Sequence, residues 1–271
     1  MGGEAFKGPD GSPLTTGIRR EEVAPTLQAL LQEILKPVGI DSFVPLGSTG
    51  KKDMSGDLDI AVGPIPMDDP KALKAIKDGL LKSVQGIIGP DRAKLVGQNI
   101  ALMIPIMGSQ DRFVQVDMML SGNPDLTGWL MSGTGSGVKG VYRNLMLAYL
   151  ASVKSKESGG TTKITISFPG GVQVTQDGVV TVKRTEDPGV IISTLGIPAG
   201  PSEITRFEDL VTILAGDPVF SRYLPGYEEY IARYLQDPQT ALEAAKAIAA
   251  LKSAIGLREA VRKVLRGKLL R

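Results

Sequence analysis

The chemistry this sequence offers rests on three aspartates. Asp57 and Asp59 stand one residue apart in DLDIAVG (57–63), and Asp117 stands alone in FVQVDMML (113–120). Alternation of acid and apolar residues predicts a half-buried strand at 57–63, so both carboxylates of the pair share one face while Leu58 and Ile60 turn to the core. Neighbouring carboxylates repel unless a cation lies between them. An aspartate in an otherwise apolar strand must meet a partner or a metal, because burying it alone is very costly. The chemistry implied is divalent-cation binding by oxygen ligands. For an isolated D-x-D, the competing reading is two solvated acids on an exposed strand edge.

Just upstream runs PLGSTGKKDMSG (45–56). It is not the phosphate loop of the ATPases. That loop needs Gly at 45 and Ser or Thr at 52, where this chain has Pro45 and Lys52. Gly47 and Ser48 follow a short extended run, a place where backbone N–H groups and a hydroxyl can grip phosphate oxygens. Ser55 and Gly56 allow the backbone close to a ligand.

Composition narrows the alternatives. The 271 residues contain neither cysteine nor histidine. That excludes a thiol nucleophile, a disulfide framework, a zinc finger and a Ser-His-Asp triad. A protein metal site here is built from oxygen, which favours Mg²⁺, Mn²⁺ or Ca²⁺. Net charge is +2, but the C-terminal GLREAVRKVLRGKLLR sets six cations against Glu259. Arg262, Lys263 and Arg266 within it make a local patch able to attract a phosphate backbone. No apolar run reaches membrane-spanning length, and the N-terminus lacks the apolar region of a secretory signal. A cytoplasmic protein without membrane contact is the expectation.

Around these residues the pattern predicts helix, strands, helix, strands. Leu27, Leu30, Leu31 and Ile34 mark a helix over 21–38, ended by Gly39. SFVPL (42–46) is extended. A second helix covers 69–85, with Asp69 as N-cap and Pro70 at its first position. AKLVG, NIALMIPIM and DRFVQVDMMLS read as strands, with turns at Gly97 and Gly108-Ser109. The expected class is α+β: a mixed sheet with flanking helices, then a mainly helical C-terminal part holding a β-hairpin or small sheet. In that part a helix spans about 140–153, and Asp177-Gly178 is a hairpin turn. The expected organisation is a flexible arm at 1–20, a catalytic domain at 21–123 and a C-terminal domain at 124–271.

Gly-Ser, then D-x-D about ten residues on, then a lone aspartate on a later strand is similar to the pattern of the DNA polymerase β-like nucleotidyltransferase superfamily. Thr134-Gly135-Ser136, placed past the third aspartate and before a helix, resembles the Thr-Gly-Ser of the family X polymerases, although Ser132 and Gly133 stand where that family has an aromatic pair. The resemblance covers about 25–215. It implies a palm-like fold and transfer of a nucleoside monophosphate from a nucleoside triphosphate to an acceptor hydroxyl. It further implies that Asp57, Asp59 and Asp117 hold Mg²⁺ or Mn²⁺. Gly47, Ser48, Ser55, Thr134 to Ser136 and the lysines Lys51 and Lys52 would then meet the nucleotide, with Lys51 or Lys52 neutralising charge on the leaving pyrophosphate. A DNA or RNA 3′ end is the first acceptor implied, with a protein side chain or small molecule as alternatives, or a non-catalytic binding or assembly module on the same fold. A formal G-x-G-x-x-G at Gly135 to Gly140 lacks the preceding strand and the following acid of a dinucleotide site.

Overall fold

The computed structural model describes residues 3–66, 69–109, 111–131, 140–167, 171–182, 187–232, 245–253 and 256. The chain divides into two compact units, Met1–Met131 and Ser132–Arg271.

In the first unit, a two-residue strand β1 (Ile18–Arg19) leads into helix α1 (Arg20–Leu30). The Glu22 carboxylate accepts the Arg19 backbone N–H at 2.9 Å and is gripped by Arg112 from 2.8 Å, which satisfies the helix entry. The helix runs on through a π turn (Leu31–Leu35) and a 3₁₀ turn (Lys36–Val38). It stops at Gly39, whose φ of 84° suits glycine and sets the expected boundary. Then come β2 (Phe43–Pro45), β3 (Met54–Ser55), which pairs with β1, and β4 (Asp57–Val62). Helix α2 (Pro70–Ile88) starts as expected: Asp69 accepts the Lys71 N–H at 2.8 Å, and proline takes the first position. Strands β5 (Ala93–Val96), β6 (Asn99–Pro105) and β7 (Phe113–Leu120) complete a five-stranded sheet in the order β2-β4-β7-β6-β5. The β4–β7 pair is parallel and the other three are antiparallel, so the sheet is mixed.

One face of this sheet buries Leu58, Ile60, Val62, Ile100, Leu102, Val116 and Met118 against Leu27, Leu30 and Ile34 of the first helix and Val84 of the second. The alternation visible in β4 and β7 accounts for this burial, whereas β6 is buried on both faces. On the opposite face Phe6 packs on Ala101 and Met103. The N-terminal stretch expected as an arm therefore lies against the sheet: Phe6 is 2% exposed, and the Thr16 N–H donates to the Phe113 carbonyl at 2.7 Å. Helix α3 (Pro124–Met131) also belongs to this unit, eight residues past the boundary expected at 123. It comes close to β2: a Cβ on Gly128 would stand 2.6 Å from the Val44 side chain, so only glycine fits there.

The second unit starts with α4 (Gly140–Glu157). An antiparallel meander follows, of β8 (Thr162–Ser167), β9 (Gly171–Gln176) and β10 (Val179–Val182). Asp177 and Gly178 both have positive φ, 48° and 81°, which is the backbone a tight hairpin of this type demands. Helices α5 (Pro188–Leu195), α6 (Phe207–Gly216) and α7 (Leu224–Ala232) come next, and residues 245–253 are helical as well. Tyr142, Leu147, Ile192, Phe207, Leu210 and Tyr227 are among its buried side chains. Arg143 is wholly buried and donates to the carbonyls of Ile204 and Thr205. The chain is of the α+β class, with a mixed sheet and helices in one unit and a helical body with a small sheet in the other. Among the described residues no helix is long and apolar enough to cross a membrane.

Candidate active site

The parallel pairing of β4 with β7 fixes the site. Asp57 is in register with Gln115, and Asp59 with Asp117. Registered neighbours project to the same face of a sheet, so the three aspartates lie on one face. Their neighbours Leu58, Ile60, Val116 and Met118 are fully buried on the other. The two strands were legible as strands from sequence. Their parallel adjacency, which makes three scattered acids into one set, was not.

The electrostatics follow from the crowding. Asp59 is pushed up to about 7, first by burial and then by the charges of Asp57 and Asp117. Asp117 is also raised, chiefly by burial and partly by Asp57, while hydrogen bonds from Gln115 oppose the rise. Among the described residues no lysine or arginine forms an ion pair with any of the three. Nor are any three His, Cys, Asp or Glu side chains among them gathered round a single point as a finished metal centre. The three aspartates share a face, and Asp59 and Asp117 share a register. An all-oxygen set burdened by mutual repulsion still fits a hard divalent cation, which would relieve that burden.

The turn at 46–51 is tied directly to this set. The Leu46 N–H donates to the Asp59 carbonyl at 2.8 Å. Gly47 has φ 56°, and a Cβ placed on it would stand 3.7 Å from a carboxylate oxygen of Asp59. Its N–H, expected at a phosphate, instead donates to the Met131 carbonyl at 3.1 Å. The N–H groups of Thr49 and Lys51 are likewise spent within the turn, on Leu46 and Ser48. Ser48 is half-buried beside them. The Lys51 ammonium folds back onto the Gly47 carbonyl at 3.1 Å, and Lys52 is exposed. Ser55 is buried, at 6% exposure, and its hydroxyl has no hydrogen-bond partner. It is thus enclosed by the protein, not presented on the surface. Thr134, Gly135, Ser136, Arg262, Lys263 and Arg266 lie outside the described residues.

Sequence reasoning missed two residues of this site. Gln115 is one, and Thr49 is the other. The buried Thr49 hydroxyl accepts the Asp59 N–H at 2.9 Å and donates to the Asp59 carbonyl at 3.2 Å. Nothing in G-S-T-G distinguishes this threonine, because the contact depends on where the turn meets β4. Thr49→Val keeps the volume and strands the Asp59 N–H. It is expected to cost about 1–3 kcal/mol of stability, measured by urea unfolding, with Thr49→Ser close to wild type.

No model of a known protein family matches the chain, and a search of characterised proteins found none similar to it.

Proposed function

We propose that the chain is a metal-dependent nucleotidyltransferase with a DNA polymerase β-like catalytic unit. One observation carries this reading: Asp57, Asp59 and Asp117 stand on one face of adjacent parallel strands, with a Gly-Ser turn hydrogen-bonded to the middle aspartate. The mixed sheet backed by helices on the other face accords with it. So does the lack of histidine and cysteine, which leaves carboxylates as the means of binding a cation.

In this reading the three aspartates hold Mg²⁺ or Mn²⁺. A divalent ion bound there supplies charge neutralisation for the triphosphate and for the attacking and leaving oxygens. The Ser48 hydroxyl, at the mouth of the turn, meets a phosphate oxygen. Thr49 fixes the distance between turn and acids. The Lys51 ammonium lies within the same turn and offsets charge on the departing pyrophosphate. The acceptor oxygen bonds to the α-phosphorus as the bond from that phosphorus to the bridging oxygen breaks, and the hydroxyl proton passes to Asp117 or to solvent.

A nucleic-acid 3′ end is the proposed acceptor, favoured by the cations of residues 258–271. The direct test incubates the protein with each α-labelled nucleoside triphosphate, Mg²⁺ or Mn²⁺, and DNA or RNA oligonucleotides. Label retained on the oligonucleotide, and lost when its 3′-hydroxyl is blocked, is the expected result. Label on the protein itself or on a small molecule would move the acceptor. Its absence from every acceptor would overturn the enzyme reading.

A further inference from the structure

The acid-bearing face of the sheet has a second occupant. Residues 3–17 lie on it as a small hairpin. The Gly8 N–H donates to the Ser12 carbonyl and the Leu14 N–H to the Phe6 carbonyl, both within 2.9 Å, and the Asp10 carboxylate ties the turn through Ser12. Phe6 anchors it on Ala101 and Met103, with the Lys94 ammonium 4.8 Å from its ring centre. Thr15 clasps the Gly3 carbonyl at 2.6 Å. Gly3 in turn sits so near Gly56 that a Cβ would stand 2.9 Å from the Gly56 carbonyl oxygen.

Between this hairpin and the acids stands Gln115, only 4% exposed. Its Oε1 accepts the Ala5 backbone N–H at 2.8 Å. Only the oxygen of an amide can accept that hydrogen bond, so the NH₂ group is committed to the other side. There it donates to both carboxylate oxygens of Asp117, at 3.0 and 3.1 Å. The donor type matters. An arginine or lysine at this position would orient Asp117 but cancel its charge. A glutamine orients the carboxylate and leaves the full charge for a cation. Partners that orient ligating carboxylates from behind are a general device of metal sites.

We propose that Gln115 is the positioning residue of Asp117 for divalent-cation binding, and that the N-terminal hairpin, through the Ala5 N–H and the Phe6 anchor, holds Gln115 in that role. This rests on the reading of Asp117 as a cation ligand. The turn at Gly47 reaches Asp59 from one side, and the hairpin reaches Asp117 from another. Each acid of the registered pair thereby has its own support.

The test is Mn²⁺ binding to the full-length protein by titration calorimetry, with thermal melting as a check on folding. Gln115→Met keeps the length and removes all three hydrogen bonds. It is expected to bind Mn²⁺ roughly 10–100-fold more weakly, and to melt somewhat lower but still cooperatively, because the Ala5 N–H is left without its acceptor. Phe6→Ala, which loosens the anchor while leaving Gln115 in place, is expected to weaken binding by a smaller factor. In transfer assays the same variants should need more metal for half-maximal rate, with the KM for triphosphate at saturating metal near wild type. Should Gln115→Met fail to fold, Gln115→Asn, too short to bridge Ala5 and Asp117, takes its place. Wild-type Mn²⁺ affinity in the Gln115 variant, with affinity lost in Asp117→Asn, would overturn this proposal alone. Unchanged affinity in Asp117→Asn, or no Mn²⁺ binding by wild type, would overturn the cation site and the proposed function with it.

Discussion

Asp57→Ala, Asp59→Ala and Asp117→Ala should each lower nucleotide transfer by at least roughly 10²–10³-fold, the scale of removing one preorganised charge-stabilising group. All three losses should come without loss of the fold. The second half of that statement is the more discriminating. Aspartates that served the architecture alone would be favoured as carboxylates by the fold and held at or below the ordinary range. Here Asp59 and Asp117 are held above the ordinary carboxylate range by burial and by neighbouring aspartates, a cost to the folded state. Removing such a charge relieves that cost. Unchanged or raised melting temperature together with abolished transfer is therefore expected for all three variants. Near-normal turnover in any one of them removes that residue from the cation site. A collapse in stability would make it structural.

The second large effect is on the pH dependence of stability. Asp59 titrates near 7 in the folded chain against an ordinary value of 3.8. Between those values the folded state holds a proton that the unfolded state has released. Stability is therefore fully present below about pH 4 and is lost as pH rises through 7. The interval corresponds to about 4 kcal/mol at most, because neighbouring charges share in it. Asp59→Asn, which cannot ionise, should be more stable than wild type at about pH 8 by a few kcal/mol and similar to it at about pH 4. Comparing variant with wild type at each pH removes contributions common to both, such as that of Glu22, which Arg112 holds below its ordinary value. Millimolar Mg²⁺ should act in the same window. It stabilises wild type at pH 8, where the acids are ionised, and has little effect at pH 4 or on Asp59→Asn. Parallel stability curves for wild type and variant across this range would show that Asp59 ionises normally and would remove the electrostatic basis of the site.

The first of these effects could be framed from the sequence because the strand patterns behind it are local. Alternation in DLDIAVG and FVQVDMML is a property of each strand alone, and Asp69-Pro70 and Asp177-Gly178 carry their turn chemistry with them. What was not legible depends on contacts between distant segments. The pairing of Asp59 with Asp117, the fastening of Thr49 to Asp59, and the insertion of Gln115 between Ala5 and Asp117 all need the assembled sheet. The N-terminal stretch shows the same limit. Its glycines and threonines read as an arm because little in it demands burial. Yet Phe6, seated on Ala101 and Met103, and the Ala5 and Thr16 N–H groups, bonded to Gln115 and Phe113, lay it on the sheet. The role given to the Gly47 N–H also shifts once Met131 is seen to accept it, since no element was expected at 124–131, where α3 lies.

The parallel pairing of β4 and β7 also bears on how the protein comes into being. Asp59 and Asp117 are adjacent across the sheet but 58 positions apart in the chain (117 − 59), with α2, β5 and β6 running between them. Such a contact closes a long loop and has no local precursor. During synthesis the D-x-D strand emerges before β7 and waits for Asp117, the fifth residue of that strand. A partly made or partly unfolded chain thus offers two carboxylates but not the three-acid face. Any ion that needs all three recognises only the finished sheet and adds its binding energy to that state alone. For an ion of that kind, completion of the sheet and binding would be a single event.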